Sequence, residues 1–361
     1  MNATMRRVVI GTAAVSMALS MAACGKAGSD SGDSDNKTIG LLLPENKTTR
    51  YETFDRPFME KKIKSLCDDC DVAYNNANQD TETQKKQFDA LITKGVKVII
   101  LDAVDATATK SWVDAAAKKG VKVVAYDRLA EGDVSAYVSY DNEKIGQLQG
   151  EGVLNALGDK AKDSRVVMIN GSPTDPNAAL FKSGAHKVLD GKVKKVVYEQ
   201  DIPDWSPDEA NKKMAAAITS LGKTGFDAVY SANDGMAGGV TTALKSAGVT
   251  NVPVGGQDAE LAGLQRILSG SQAFTIYKGI KPEAETTAEI AVKLLKGEDI
   301  ASIAPEKMDS KSKKGIPTKL YDATIVTDKN IQDTIIKDKV YTADKICTAD
   351  FKAACDKAGI K

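Results

Sequence analysis

Short, nearly uninterrupted apolar runs alternate with longer amphipathic stretches along most of the chain, and no other feature restricts the fold as strongly. From Thr38 the runs are TIGLLL (38–43), DVAYNN (71–76), VKVIILD (96–102) and VKVVAYD (121–127), with helical segments reaching Leu66, Lys94 and Lys119 between them. A helix at about Asn142 to Leu157 then precedes a second series: RVVMIN (165–170), KVVYEQ (195–200), DAVYSA (227–232), VPVGG (252–256) and AFTIYK (273–278). A strand that is apolar without alternation is covered on both faces, the condition of a parallel sheet between two layers of helices. The chain therefore reads as α/β, with two doubly wound parallel-sheet lobes. Its 361 residues agree, because single cores seldom grow beyond roughly 250 to 300 residues.

No proline- or serine-rich linker divides the two series, so the lobes are expected to share a three-crossing hinge near Tyr140, Lys278 and Tyr321. Residues 38–140 plus 278–320 would form the N-terminal lobe, and 141–277 plus 321–361 the C-terminal lobe. Lys307 to Pro317, dense in lysine and serine, reads as a polar loop.

The first residues read as an export signal: Arg6 and Arg7, an apolar run from Val8 to about Leu19, then Met21, Ala22, Ala23 and Cys24. The run is short for a bilayer span, which needs about 20 residues. Small residues followed by cysteine suit a lipoprotein cleavage site, with residues 1–24 as the signal and Cys24 as the acylated lipid anchor, although Met21 stands where leucine is more usual. Residues 25–37 are rich in Gly, Ser, Asp and Lys and read as a flexible tether to the extracellular face of the membrane.

Four other cysteines, Cys67, Cys70, Cys347 and Cys355, belong to an exported chain and are read as disulfide candidates. Three pairings are open; proximity favours Cys67 with Cys70 and Cys347 with Cys355. A four-cysteine zinc site is disfavoured by the wide spacing of the second pair, so no metal is expected. Asp68, Asp69 and Asp71 would raise a thiol pKa, against a redox role for the first pair.

Lysine plus arginine equals aspartate plus glutamate at 49 each, so no net field draws in nucleic acid, and the place where a sugar repressor carries a helix-turn-helix reads here as an export signal and tether. No G-x-S-x-G or H-E-x-x-H motif occurs. The sole histidine, His186, falls inside a predicted helix, and Gly222, Lys223 and Thr224 imitate a phosphate loop whose first glycine is replaced by Ala217. Neither an enzyme nor a cofactor is expected.

Ligands of open parallel sheets sit beyond the carboxyl ends of the strands. Those positions hold Glu45 to Tyr51, Asp127, Arg128, Asp175, Asn177, Asp204, Trp205, Asn233, Asp234, Gln257, Asp258 and Lys278. Carboxylates accept, arginine and lysine donate, and asparagine does both, which matches the hydroxyls of a monosaccharide. Trp205 and Tyr51 would cover its apolar faces. Any one of these polar residues would also serve as a helix cap, Asp175 and Asp258 especially, but Arg50, Arg128, Trp205 and Lys278 are not capping types. Trp112, within a helix, is read as core packing.

Five segments carry a family resemblance: VAYDR (124–128), YDNEKIGQLQ (140–149), GSPTDPNAALF (171–181), SANDGMAGG (231–239) and GQDAELAG (256–263). In this order they resemble the periplasmic-binding-protein type I sugar receptors, and among them the D-xylose-binding proteins. The resemblance implies that Arg50, Asp127, Arg128, Asp175, Asn177, Asn233, Asp258 and Lys278 hydrogen-bond a sugar while Trp205 stacks on it. It also implies an ABC permease and its ATPase as partners of a monomeric receptor. Tyr51 departs from the tryptophan of the xylose type, and the loop before it differs, which leaves fructose as an alternative to xylose. A sugar-sensing or chemoreceptor component of the same fold is the alternative function.

Overall fold

The structure, a computed structural model, describes residues 36–361. Cys24 and the expected signal and tether lie outside the described residues, apart from Asn36 and Lys37. Among the described residues twelve strands are formed: β1 (Thr38–Leu43), β2 (Asp71–Asn76), β3 (Val98–Leu101), β4 (Lys122–Tyr126), β5 (Ala136–Tyr140), β6 (Arg165–Asn170), β7 (Lys195–Asp201), β8 (Ala228–Ser231), β9 (Thr275–Lys278), β10 (Glu306–Met308), β11 (Ile316–Tyr321) and β12 (Ala323–Val326).

The first sheet runs β10-β11-β5-β4-β3-β1-β2, parallel throughout except where β10 pairs antiparallel with β11. Successive side chains point to opposite faces, and both faces are buried. Ile39, Leu41, Leu43, Val98 and Ile100 pack with Met59, Ile63, Ala284 and Ala288 on one face. Leu42, Ile99, Leu101 and Val123 pack with Phe88, Leu91, Val113 and Trp112 on the other. Trp112 lies 6.2 Å from Phe88, a core contact. The stretch from Lys307 to Pro317 is not wholly a loop: its ends pair as an edge hairpin, with Lys307 opposite Pro317 and Met308 opposite Ile316. Polar residues and a proline are tolerated there because an edge strand leaves one side unpaired.

The second sheet is built on β7-β6-β8, all parallel. VPVGG forms no regular strand, only a bridge from Val254 to Val229. Pro253 has no N–H to donate. The segment nonetheless links two ladders: Gly255 donates to Val229, while Ala273 and Ile276 donate to Val254 and Gly256, continuing to the antiparallel pair β9-β12.

The chain passes between the sheets after Tyr140, after Lys278 and at Asp322. Cys67 is bonded to Cys70, and Cys347 to Cys355, so the thiolates of a zinc site are not available.

Helices Asn142–Leu157 and Pro176–Leu189 cross at unusually close range. A Cβ at Gly146 would sit 2.1 Å from the Phe181 carbonyl oxygen. Gly146→Ala therefore has to push the second helix, with Asn177 on its first turn, away from the first. A destabilisation of about 1–3 kcal/mol is expected in urea unfolding, typical of forced overpacking.

Candidate functional site

A cavity with about 300 Å³ of empty space lies between the carboxyl ends of the two sheets; the ten residues expected to bind the sugar all line it, whereas the strand-end residues Asp204 and Asp234 do not. Arg50 and Tyr51 come from the first helical turn after β1, and Asp127 and Arg128 follow β4 directly. Asp175 and Asn177 begin the helix after β6, Trp205 lies in a short 3-10 turn after β7, and Asn233 begins the helix after β8. Asp258 follows the irregular VPVGG segment, and Lys278 is the last residue of β9. Thr48, Phe181 and Gln257 complete the wall.

Each cation of the wall has one carboxylate of the wall beside it. Arg50 Nη1 lies 2.9 Å from Asp127, Arg128 Nε 2.9 Å from Asp175, and Lys278 Nζ 3.1 Å from Asp258. Arg128 and Asp175 belong to different sheets, as do Asn177 and the Asp127 carbonyl to which it donates at 3.1 Å. Asn142 donates to Asn177 Oδ1 at 2.9 Å and so orients that amide. Trp205 Nε1 donates to Asp175 at 3.2 Å. Its indole lies against Gly171, where a Cβ would come within 2.1 Å of the ring and push it into the cavity. Lys278 Nζ sits 5.2 Å from the Tyr140 ring and 5.7 Å from the Phe181 ring, within reach of their negative faces.

Some capping expectations hold and others do not. Asp175 and Asn233 do cap their helices, accepting from the Asn177 and Met236 N–H groups, and line the cavity as well. Asp258 caps nothing; the helix Leu261–Leu268 is preceded by Glu260. The backbone turns at φ 91° at Asp258 and 48° at Ala259, which carries the chain away from that helix axis. His186 bonds Asp190 and Glu199 and does not line the cavity.

Behind the wall lies a buried network with no counterpart in the sequence reading. Arg50 also pairs with Asp55 and Glu283, each at 2.6 Å, and donates to the Tyr126 hydroxyl at 3.1 Å. Arg128 donates to the Ala103 carbonyl at 3.0 Å and to the Tyr51 hydroxyl at 3.3 Å, with Asp102 at 3.4 Å. Burial would raise the Asp127 carboxyl, but Arg50, Lys278 and Arg128 outweigh it and hold it below the usual carboxylate range. At Asp175 and Asp102 burial wins over Arg128, and both carboxyls are raised. Gln257 Oε1 is buried and accepts no hydrogen bond from any described residue.

Two parallel sheets whose strand ends face a single small, charged cavity define a two-lobed solute-binding protein. The chain belongs to the type I sugar-binding branch of the periplasmic-binding-protein family: residues 39–299 match the family described as "Periplasmic binding protein domain". It is 37% identical over 310 residues to the D-xylose-binding periplasmic protein of Escherichia coli (strain K12), covering 83% of this chain and 89% of that protein. The D-xylose-binding periplasmic protein of Haemophilus influenzae is 35% identical over 325 residues, covering 88% and 94%. A Clostridium phytofermentans ABC transporter solute binding protein with bound β-D-glucose superposes with a TM-score of 0.76 at 28% identity, covering 86% of this chain and 99% of that one. The family is one of binding proteins and the chain is not an enzyme.

Glu283 gives the buried network a measurable pH signature. Burial first, then Asp127 and Asp55, push its carboxyl up to about 8 from 4.5, with Arg50 opposing. Between those values the folded state keeps a proton that the unfolded state releases, so this group's contribution to stability is full below pH 4.5 and is lost as pH rises through 8. The limiting slope is about 1.4 kcal/mol per pH unit. Glu283→Gln, which cannot titrate, should flatten the decline in denaturant stability between pH 5 and 8 relative to the natural protein.

Proposed function

We propose that this chain is the extracellular solute-binding lipoprotein of an ABC sugar importer, capturing one monosaccharide in pyranose form, a xylose-type pentose or fructose. The carrying observation is the set of balanced ion pairs, Arg50 with Asp127, Arg128 with Asp175 and Lys278 with Asp258, around a cavity that Trp205 and Phe181 also wall. A charged ligand would leave one sign uncompensated in a buried site. A neutral polyol instead finds a donor and an acceptor for each hydroxyl, and hydrogen bonds to charged groups are the strong ones.

Arg50, Asp127, Arg128, Asp175, Asn177, Asn233, Asp258 and Lys278 would bind the hydroxyls, Trp205 would stack on one C–H face, and Tyr51 would close over the sugar from the other sheet. Because these groups come from both sheets, a ligand that bonds to all of them binds the closed arrangement more tightly than an open one and shifts the population towards it. The three passages near Tyr140, Lys278 and Tyr321 serve as the hinge between lobes 38–140 plus 278–320 and 141–277 plus 321–361. The closed, loaded monomer is the form offered to the permease and its ATPase, while Cys24, acylated, and the tether at 25–37 hold it at the membrane.

Calorimetry with xylose, fructose, ribose, arabinose, galactose and glucose tests the reading: one sugar should bind and be recovered unchanged, and turnover of any of them would refute it. With the sugar that binds, Asp258→Ala and Arg128→Ala should each weaken affinity by roughly ten- to a hundredfold or more. Titrations like those of the natural protein would mean that the wrong cavity has been assigned. Cys24→Ser should abolish palmitate labelling and release the protein from cells; retention at the membrane would rule out the anchor.

A further inference from the structure

Beside the cavity, two contacts join the halves without lining it. Glu260 immediately precedes the helix Leu261–Leu268 of the second half, where its N–H donates to Asp234 at 2.9 Å. Its side chain reaches the other way, and Oε1 accepts from the Thr49 N–H at 3.2 Å. Thr49 stands at the start of the helical segment that follows β1, where backbone N–H groups have no partner within the helix. The Thr49 hydrogen bond satisfies one of them and needs only an acceptor oxygen, since burial, then Asp234 and Asp258, raise the Glu260 carboxyl to about 8.

The second contact comes from the C-terminal tail. Tyr341 accepts from the Leu261 N–H at 3.2 Å, and its ring meets Phe54, on the opposite half, edge-on at 5.5 Å. The tail is tied down: Ile346, Cys355 and Ile360 share a buried cluster with Leu264 and Ile335, and the Cys347–Cys355 bond closes it. The first contact is adjacent in sequence to cavity residues at both ends, since Asp258 is two positions from Glu260, and Arg50 directly follows Thr49.

We propose that Glu260 and Tyr341 are positioning residues that latch the two halves together beside the cavity and set how long a captured ligand is held. This latch presupposes the sugar capture proposed above. Opening must break both contacts before the ligand leaves, whereas entry into an open cleft meets neither, so their loss acts on release.

D-xylose is the probe, with the full chain and stopped-flow tryptophan fluorescence. Glu260→Ala and Tyr341→Ala should each release D-xylose about tenfold or more faster with the association rate unchanged. Glu260→Gln, which keeps an acceptor oxygen, should recover part of the hold. Release at the natural rate, or a loss confined to association, overturns the latch. If the alanine variants do not fold, Phe54→Ala removes the partner ring from the opposite half and must also speed release; no change there overturns it equally. If the natural protein does not bind D-xylose, the sugar reading fails for that probe. The latch is then read in the same way with whichever of fructose, ribose, arabinose, galactose or glucose binds by calorimetry, and release of that sugar at the natural rate from both alanine variants overturns it; if none binds, the capture on which the latch rests has failed.

Discussion

The site is held in shape by one buried guanidinium. Arg50 is 2% exposed and meets Asp55, Asp127 and Glu283 together, so it ties the first helical turn after β1 to the end of β4 and to the helix Ile280–Leu295. A buried charge stripped of its partner costs about 3–5 kcal/mol, so none of these elements can shift alone. Three carboxylates on one cation leave two negative charges in excess, and burial removes one of them by holding the proton on Glu283. The planar fork of arginine is what permits this, since it offers several donors at fixed angles where lysine has a single point charge.

Around that anchor the backbone is bent at several of the cavity residues. Asp127, Asp204, Trp205, Asp258 and Ala259 all have positive φ without being glycine, and Asp127, Trp205 and Asp258 line the cavity. Each such residue costs of order 1–3 kcal/mol and persists only where surrounding structure over-determines it. Here the surroundings are ion pairs and hydrogen bonds: Asp127 by Arg50, Trp205 by Asp175, Asp258 by Lys278. The strain aims side chains into the gap between the sheets instead of along the helices that follow, and it explains why Asp258 is free to face the cavity and does not cap a helix.

Much of this was legible beforehand. The apolar runs located the strands of the first sheet because residues covered on both faces leave no choice but β-branched and aliphatic side chains. The rule that ligands sit beyond strand ends then selected Arg50, Asp127, Arg128, Asp175, Asn177, Trp205, Asn233, Asp258 and Lys278 as lining residues. What escaped was the support. Asp55 and Glu283 lie inside helices, where an acidic residue ordinarily faces water, and Phe181 looked like any apolar helical position. The hairpin hidden in Lys307–Pro317 and the broken strand at VPVGG also went unseen, because edge pairing and proline chemistry leave no apolar period.

The linear pattern was enough to settle an α/β chain with two parallel sheets, which residues stand at the strand ends, and that their chemistry matches a ring of hydroxyls, since each follows from local spacing and side-chain type. Which cation meets which carboxylate was not written there. Arg50 and Glu283 are 233 positions apart, and Thr49 and Glu260 are 211 apart. Nothing local couples such distant residues; they meet only because the chain crosses from one sheet to the other and back, and a buried charge has to find its partner wherever packing brings one.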